Sequence, residues 1–223
     1  MSLPLVPADE AGVDRAVTAL DAGRLILHPT ETVVSLTGDA RLESAVAAAR
    51  RLKGYERPRP FLCLVPDAAA ARSLCGEWPP AARRLADALW PGPLTLVLVA
   101  APDAPAPVVS EGTIALRPAS DPISAAVVRA WGGPLFSTSA NPKGGVPPVH
   151  VAEAARALAS APGAEALALG LLEPAAGPST PSAAGEPSTI VDVAGVRPRL
   201  VREGAISADR LRSTIPDLEA PEQ

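Results

Sequence analysis

Short apolar runs recur along the chain, and each is cut off by a proline or a polar loop. Leu25-Ile26-Leu27 stops at His28-Pro29-Thr30-Glu31-Thr32, residues 113–116 stop at Arg117-Pro118, and Leu135-Phe136 stops at Ser137-Thr138-Ser139. Residues 61–65 and 94–100 are similar runs, the latter entered through Trp90-Pro91-Gly92-Pro93. Runs this short, closed by residues that a helix interior rejects, suit buried strands. Between them the spacing becomes helical. Val13, Val17 and Leu20, with Gly23 as a stop, predict a helix, and Asp39 is placed to cap a second whose apolar face is Leu42, Val46, Ala49 and Leu52, closed by Gly54. Residues 81–89, 123–130 and 151–159 also read as helical, and 188–193 as extended. The alternation implies an α/β fold, with a site along the sheet edge where the strands empty into polar loops.

Residues 162–187 shift to Ala, Gly, Pro and Ser, with LALGLL as one short strand among them, and are expected to act as a loop ordering over a ligand. The segment after Arg210 is short and polar and is expected to fray, so the domain is set at 1–208 with a tail at 209–223. Hydrophobic residues make up 48% of the chain but aromatics only 3%, so the core is built from Ala, Val and Leu, and stacking platforms for bases are scarce. A net charge of −4 supplies no overall field toward a polyanion. The first residues carry neither a basic nor an apolar targeting segment, and no apolar stretch reaches membrane-spanning length, which predicts a cytoplasmic protein with no membrane partner. Cys63 and Cys75 lack metal-ligand spacing and read as reduced structural thiols.

The chain has no phosphate-binding P-loop, no dinucleotide fingerprint and no nucleophile elbow, and its two histidines have no metal-ligand spacing. What remains is a set of hydroxyls, amides and cations in the loops after the apolar runs. It comprises Thr30, Glu31 and Thr32; Lys53, Arg57 and Arg59; Thr113 and Arg117; Ser137, Thr138, Ser139 and Asn141; Ser188 and Thr189; and Arg202. Cations and hydroxyl donors without a nucleophile suit the binding of phosphates and carboxylates, where positioning and charge stabilisation do the catalysis. Each has a local alternative. Pro-Thr-Glu-Thr also makes a turn or a helix cap, Lys53 also complements a helix dipole, and Ser-Thr-Ser-Ala-Asn also forms a backbone-bonded turn.

The order of these motifs resembles one family. PTETV at 29–33, the helix ending in Lys53-Gly54, WPGPLT at 90–95, TIALRP at 113–118, PLFSTSAN at 134–141, and PSTIVD at 187–192 followed by LVREGAIS at 200–207 are similar to the YrdC-type threonylcarbamoyl-AMP synthases. The resemblance runs from about residue 10 to residue 208. It implies a single α/β domain with an open, twisted mixed sheet and a large concave cleft. It also implies synthesis of threonylcarbamoyl-adenylate and pyrophosphate from L-threonine, bicarbonate and ATP, with Mg2+, for the threonylcarbamoyladenosine modification of tRNA. By the same resemblance Thr32, Arg117, Ser137 and Ser188 hold threonine, and Lys53, Thr113, Ser139, Asn141 and Arg202 hold ATP, with no protein nucleophile required; because Tyr55 stands where the family has arginine, either Arg59, placed with the ATP residues, or Arg57 reaches the phosphates, or that contact is missing. The net charge of −4 and the lack of an RNA-binding motif predict that any tRNA contact is weak. The chain departs from the family pattern at Val34-Ser35-Leu36-Thr37 in place of Tyr-Gly-Leu-Gly, at Tyr55 in place of arginine, at Leu64 in place of histidine and at Lys143 in place of serine. These departures leave two alternatives open: a paralogue that adenylates another carbamate or carbamoyl phosphate, and a protein that only binds nucleotide or RNA.

Overall fold

The computed structural model describes residues 3–57, 59–173 and 185–220. Its strands are β1 (Leu5–Pro7), β2 (Leu25–His28), β3 (Ser35–Asp39), β4 (Leu62–Val65), β5 (Leu94–Val99), β6 (Thr113–Pro118), β7 (Leu135–Ser139), β8 (Leu167–Leu172), β9 (Thr189–Asp192) and β10 (Arg199–Arg202). Its helices are α1 (Glu10–Asp21), α2 (Glu43–Lys53), α3 (Ala68–Ser73), α4 (Pro80–Leu89), α5 (Pro122–Trp131), α6 (Val151–Leu158) and α7 (Ala208–Thr214). The strands form one mixed sheet in the order β1-β8-β2-β3-β7-β4-β6-β5-β9-β10. No helix among the described residues is long and apolar enough to cross a membrane.

Successive residues of a strand point to opposite faces, so the register sorts the side chains into two sets. On one face Leu25, Leu27, Leu36, Cys63, Leu94, Leu96, Leu116 and Phe136 pack against α2, α4, α6 and α7 in the larger core. On the other, Ile26, Leu64, Leu135, Leu169 and Leu171 pack against Ala16 and Leu20 of α1 and Ala125, Val127 and Val128 of α5. That second core spans only one side of the sheet. Toward β5, β9 and β10 the same face carries Arg117, Thr95, Ser137 and Ile190, which line a cleft instead of meeting a helix.

Several sequence expectations are corrected here. Asp39 does not cap α2: it ends β3, a strand hidden in the sequence because its residues are Ser-Leu-Thr-Gly-Asp, and its carboxylate holds Arg41 at 2.9 Å. Leu42 is the N-cap position of α2, without a side-chain cap, and is exposed rather than part of the apolar face. The short strand expected in LALGLL is β8, which lies between β1 and β2 and is largely buried. Of the remaining residues of the loop expected to cover a ligand, 174–184 lie outside the described residues. The segment expected to fray folds back: α7 is capped by the Ser207 side chain, Leu211, Ile215 and Leu218 enter the larger core, and Glu219 bridges Arg199. Three well-spaced apolar side chains in an otherwise polar tail are enough to hold it down.

Candidate active site

The cleft on the uncovered half-face measures about 420 Å³, within the usual range of small-molecule sites. Its walls come from loops and strand ends far apart in sequence. Pro29 ends β2, and Thr30 closes the turn that follows: its hydroxyl donates to the Val33 carbonyl at 2.7 Å and accepts from the Thr32 and Val33 amides. The turn sets Thr32 on the cleft wall and Glu31 beside Arg117. From β7, Ser137 and Ser139 alternate onto the same face, and from β6 Ala115 and Arg117 do so.

Ser188 is placed by a second device. The buried Thr189 hydroxyl donates to the Ile206 carbonyl at 2.7 Å and accepts from the Gly204 and Ile206 amides, which ties β9 to the segment after β10. Gly204 is required there, because a Cβ would lie 2.1 Å from the Pro187 carbonyl oxygen. The tie brings Arg202 against Ser188: its Nε and one terminal nitrogen donate to the Ser188 carbonyl at 3.1 and 2.7 Å. The Ser188 hydroxyl in turn pairs with that of Thr95 at 2.9 Å.

Among the described residues lining the cleft, Arg59, Arg117 and Arg202 are cationic and none is acidic. The carboxylate that meets them is Glu31, 3.2 Å from an Arg117 terminal nitrogen. That pair is incompletely satisfied. Arg117 is 3% exposed, yet its Nε has no hydrogen-bond partner, and neither Glu31 carboxylate oxygen, both buried, has one of acceptable geometry. Buried polar atoms without protein partners are uncommon in folded proteins, and water or a ligand's groups complete such a set. Burial pushes the Arg117 guanidinium below its ordinary value against the opposing pull of Glu31. Burial, and then the nearby charge of Arg117, push Arg202 the same way. Arg202, whose charge is made more costly by a second buried cation in the same cleft, gains from an anion placed there.

The structure brings Thr32, Arg117, Ser137, Ser188, Arg59, Ser139 and Arg202 together on the cleft. Arg59 arrives with Tyr55, its guanidinium lying 5.4 Å from the centre of the tyrosine ring, whereas Arg57 is exposed and not on the wall. Lys53, Thr113 and Asn141 are not on the wall either. The Lys53 ammonium is buried and donates to the Ser139 carbonyl at 2.6 Å, the Ser139 hydroxyl at 3.2 Å and the Asn141 side-chain oxygen at 3.1 Å. Its three donors are thereby spent on the protein. Asn141 closes its own loop by donating to the Pro142 and Gly145 carbonyls. Thr113 shares a face with Arg117 but stands at the opposite end of β6, where it donates to the Ser110 carbonyl.

Reading the sequence alone missed Ser35 and Thr95, both on the wall, and the buried Thr37 and His28 behind it. Only register shows them: Ser35 and Thr37 lie directly across from Ser139 and Ser137.

An open mixed sheet, half-covered on one face, with an arginine- and hydroxyl-lined cleft on the remainder, defines a YrdC-like domain. The family model Sua5/YciO/YrdC, described as telomere recombination, matches residues 18–204, and the chain belongs to that family. A Mycobacterium tuberculosis relative is 37% identical over 205 residues, covering 92% of this chain and 89% of its own length. The Bacillus subtilis protein named threonylcarbamoyl-AMP synthase is 29% identical over 91% of this chain, which spans 56% of that longer protein. Among solved structures, P. abyssi Sua5 complexed with L-threonine superposes with a TM-score of 0.83 at 25% identity, over 97% of this chain and 61% of that one. E. coli YciO shares the fold, with a TM-score of 0.78 at 22% identity over 95% of this chain and 100% of its own.

Proposed function

We propose that the protein is a threonylcarbamoyl-AMP synthase, which joins L-threonine, bicarbonate and ATP into threonylcarbamoyl-adenylate and pyrophosphate for tRNA modification. The observation that carries this reading is Arg117, buried on the cleft wall with its Nε left without a partner, a fit for an amino-acid carboxylate, with Thr32, Ser137 and Ser188 beside it for the polar groups of the rest of the substrate. Arg202, Arg59 and Ser139 offer donors to the phosphates further along the same wall, and Lys53 and Asn141 hold Ser139 in place. The carbamate oxygen attacks the α-phosphorus while pyrophosphate leaves, so the protein's work is to hold two anions in contact and offset their charge. No group of three or more His, Cys, Asp or Glu side chains capable of holding a metal occurs among the described residues. The described residues lining the cleft also include no carboxylate, so the wall itself offers no resident Mg2+ site, and we assign the divalent cation to the phosphates of incoming ATP.

The test is pyrophosphate release from ATP, Mg2+ and bicarbonate, with and without L-threonine. Threonine-dependent release is expected, and Arg117→Lys should raise the threonine KM on the order of tenfold while ATP affinity holds, because lysine offers a point charge where a carboxylate needs a planar fork. Release only with carbamoyl phosphate would assign the protein to a different reaction, and ATP binding without release would make it a binding protein.

A further inference from the structure

Behind the cleft wall a line of hydroxyls runs into the protein. Ser137 Oγ, on the wall, lies 2.7 Å from Ser35 Oγ, and Ser35 Oγ lies 2.7 Å from Thr37 Oγ1. Thr37 Oγ1 lies 2.8 Å from His28 Nε2, and both residues are fully buried. The other ring nitrogen, Nδ1, lies 2.8 Å from the Pro29 carbonyl oxygen. A carbonyl only accepts, so in the neutral ring Nδ1 carries the proton and Nε2 is the acceptor. Every hydroxyl proton in the line is then determined. Thr37 gives its proton to Nε2, so Ser35 must donate to Thr37, and Ser137 must donate to Ser35. Ser137 consequently turns lone pairs, not a proton, toward the cleft, and its preferred ligand is an N–H or O–H group.

We infer that Ser137, Ser35 and Thr37 form a proton relay to His28, which takes up the proton lost by the amino-acid substrate's ammonium group as the carbamate forms. This rests on the synthase reading above. An ammonium and bicarbonate give a carbamate, one water and one proton. The nitrogen forms its bond to the bicarbonate carbon and loses two N–H bonds; one proton leaves with the bicarbonate hydroxyl as water, and the other goes to Ser137 Oγ. Ser137 passes its own proton to Ser35, Ser35 to Thr37, and Thr37 to Nε2, leaving an imidazolium. His28 has no solvent contact, so the proton returns by the same line when the cleft empties. The groups around the ring are Asp121 and Glu31, which favour the imidazolium, and Arg117, which opposes it. Burial outweighs them and lowers the ring's affinity for a proton, so His28 rests neutral at neutral pH and holds the imidazolium only transiently before returning the proton to the line. Ser137 touches the substrate; Ser35, Thr37 and His28 act through it as positioning residues.

The experiment compares pH profiles of threonine-dependent pyrophosphate release for the full chain and for Thr37→Val and His28→Gln. Thr37→Val keeps the shape of the side chain and removes the link, so it decides the matter even if His28→Gln does not fold. The expected result is a fall in kcat on the order of 100-fold with the threonine KM unchanged, and loss of the acidic limb of the profile. Nitrogen NMR of the wild type should show a His28 ring protonated at Nδ1, with an Nε2 shift that moves in Thr37→Val. Wild-type kcat and pH profile in both variants, or a raised KM with the profile intact, would overturn the relay and leave the synthase reading standing. Absence of threonine-dependent release by the wild type would overturn both.

Discussion

Lys53 is a cation at a helix end whose ammonium is turned inward, onto Ser139 and Asn141, instead of toward solvent. In sequence it reads as a phosphate ligand or a partner of the helix dipole, and neither reading anticipates that three protein oxygens absorb its donors. Burial pushes its pKa down to about 8. The unfolded chain therefore holds the proton more tightly than the folded one between pH 8 and the ordinary lysine value. The penalty for burying the charge is fully present below pH 8 and is relieved as pH rises through that window. The expected outcome is that wild-type stability, measured by urea unfolding relative to Lys53→Met, improves by about 1 kcal/mol per pH unit between pH 8 and 10. A flat difference over that range would mean that Lys53 is hydrated in solution. Arg117 and Ser137 were legible as cleft residues because each directly follows an apolar run, and Thr32 because it lies in the polar loop that closes one. His28 also follows an apolar run, but its hydrogen-bonded connection to the cleft was not legible, because it runs through Thr37 and Ser35, two residues that look like loop.

At the scale of elements, the recognisable ones are those whose own sequence carries both a pattern and a stop. α2 ends on Gly54 in the left-handed conformation, with φ of 66°, and α5 ends likewise on Gly132. β3 carries neither signal. It is a strand because β2 and β7 flank it on both sides and satisfy its backbone, and its polar side chains are satisfied by one another. α7 is a comparable case at the C-terminal end, where the polar composition hides Leu211, fully buried between α7 and the larger core. Leu211→Ala should cost about 2–4 kcal/mol in urea unfolding, since the side chain leaves a cavity that its neighbours only partly fill. A loss below about 1 kcal/mol would show that α7 is docked weakly and detaches before the core unfolds.

For the whole molecule, the arrangement that matters is unequal cover of one sheet. α1 and α5 close one side of the second face and leave the rest to a cleft whose lining cations are arginines, while the chain as a whole carries −4. Steering is consequently local: small anions that fit the cleft are favoured, and a long polyanion meets a net repulsive surface. Binding of tRNA measured by filter retention or fluorescence anisotropy should be micromolar or weaker at about 0.15 M salt and should fall steeply as salt rises. Submicromolar binding that survives high salt would reveal a specific RNA surface away from the cleft.

By itself the sequence determined the α/β class, most strands and helices, and the group of hydroxyls and arginines available for anion chemistry, because apolar period, proline stops and loop composition are local properties of the chain. Only the tertiary structure decided which of them share a wall. Arg202 reaches Ser188 through the Thr189 tie and a glycine pressed against Pro187, while Thr113 is carried to the far end of its own strand. It also decided that Ser35 and Thr37 join His28 to Ser137, a matter of register between strands about a hundred residues apart, for which one chain position holds no signal about its partner.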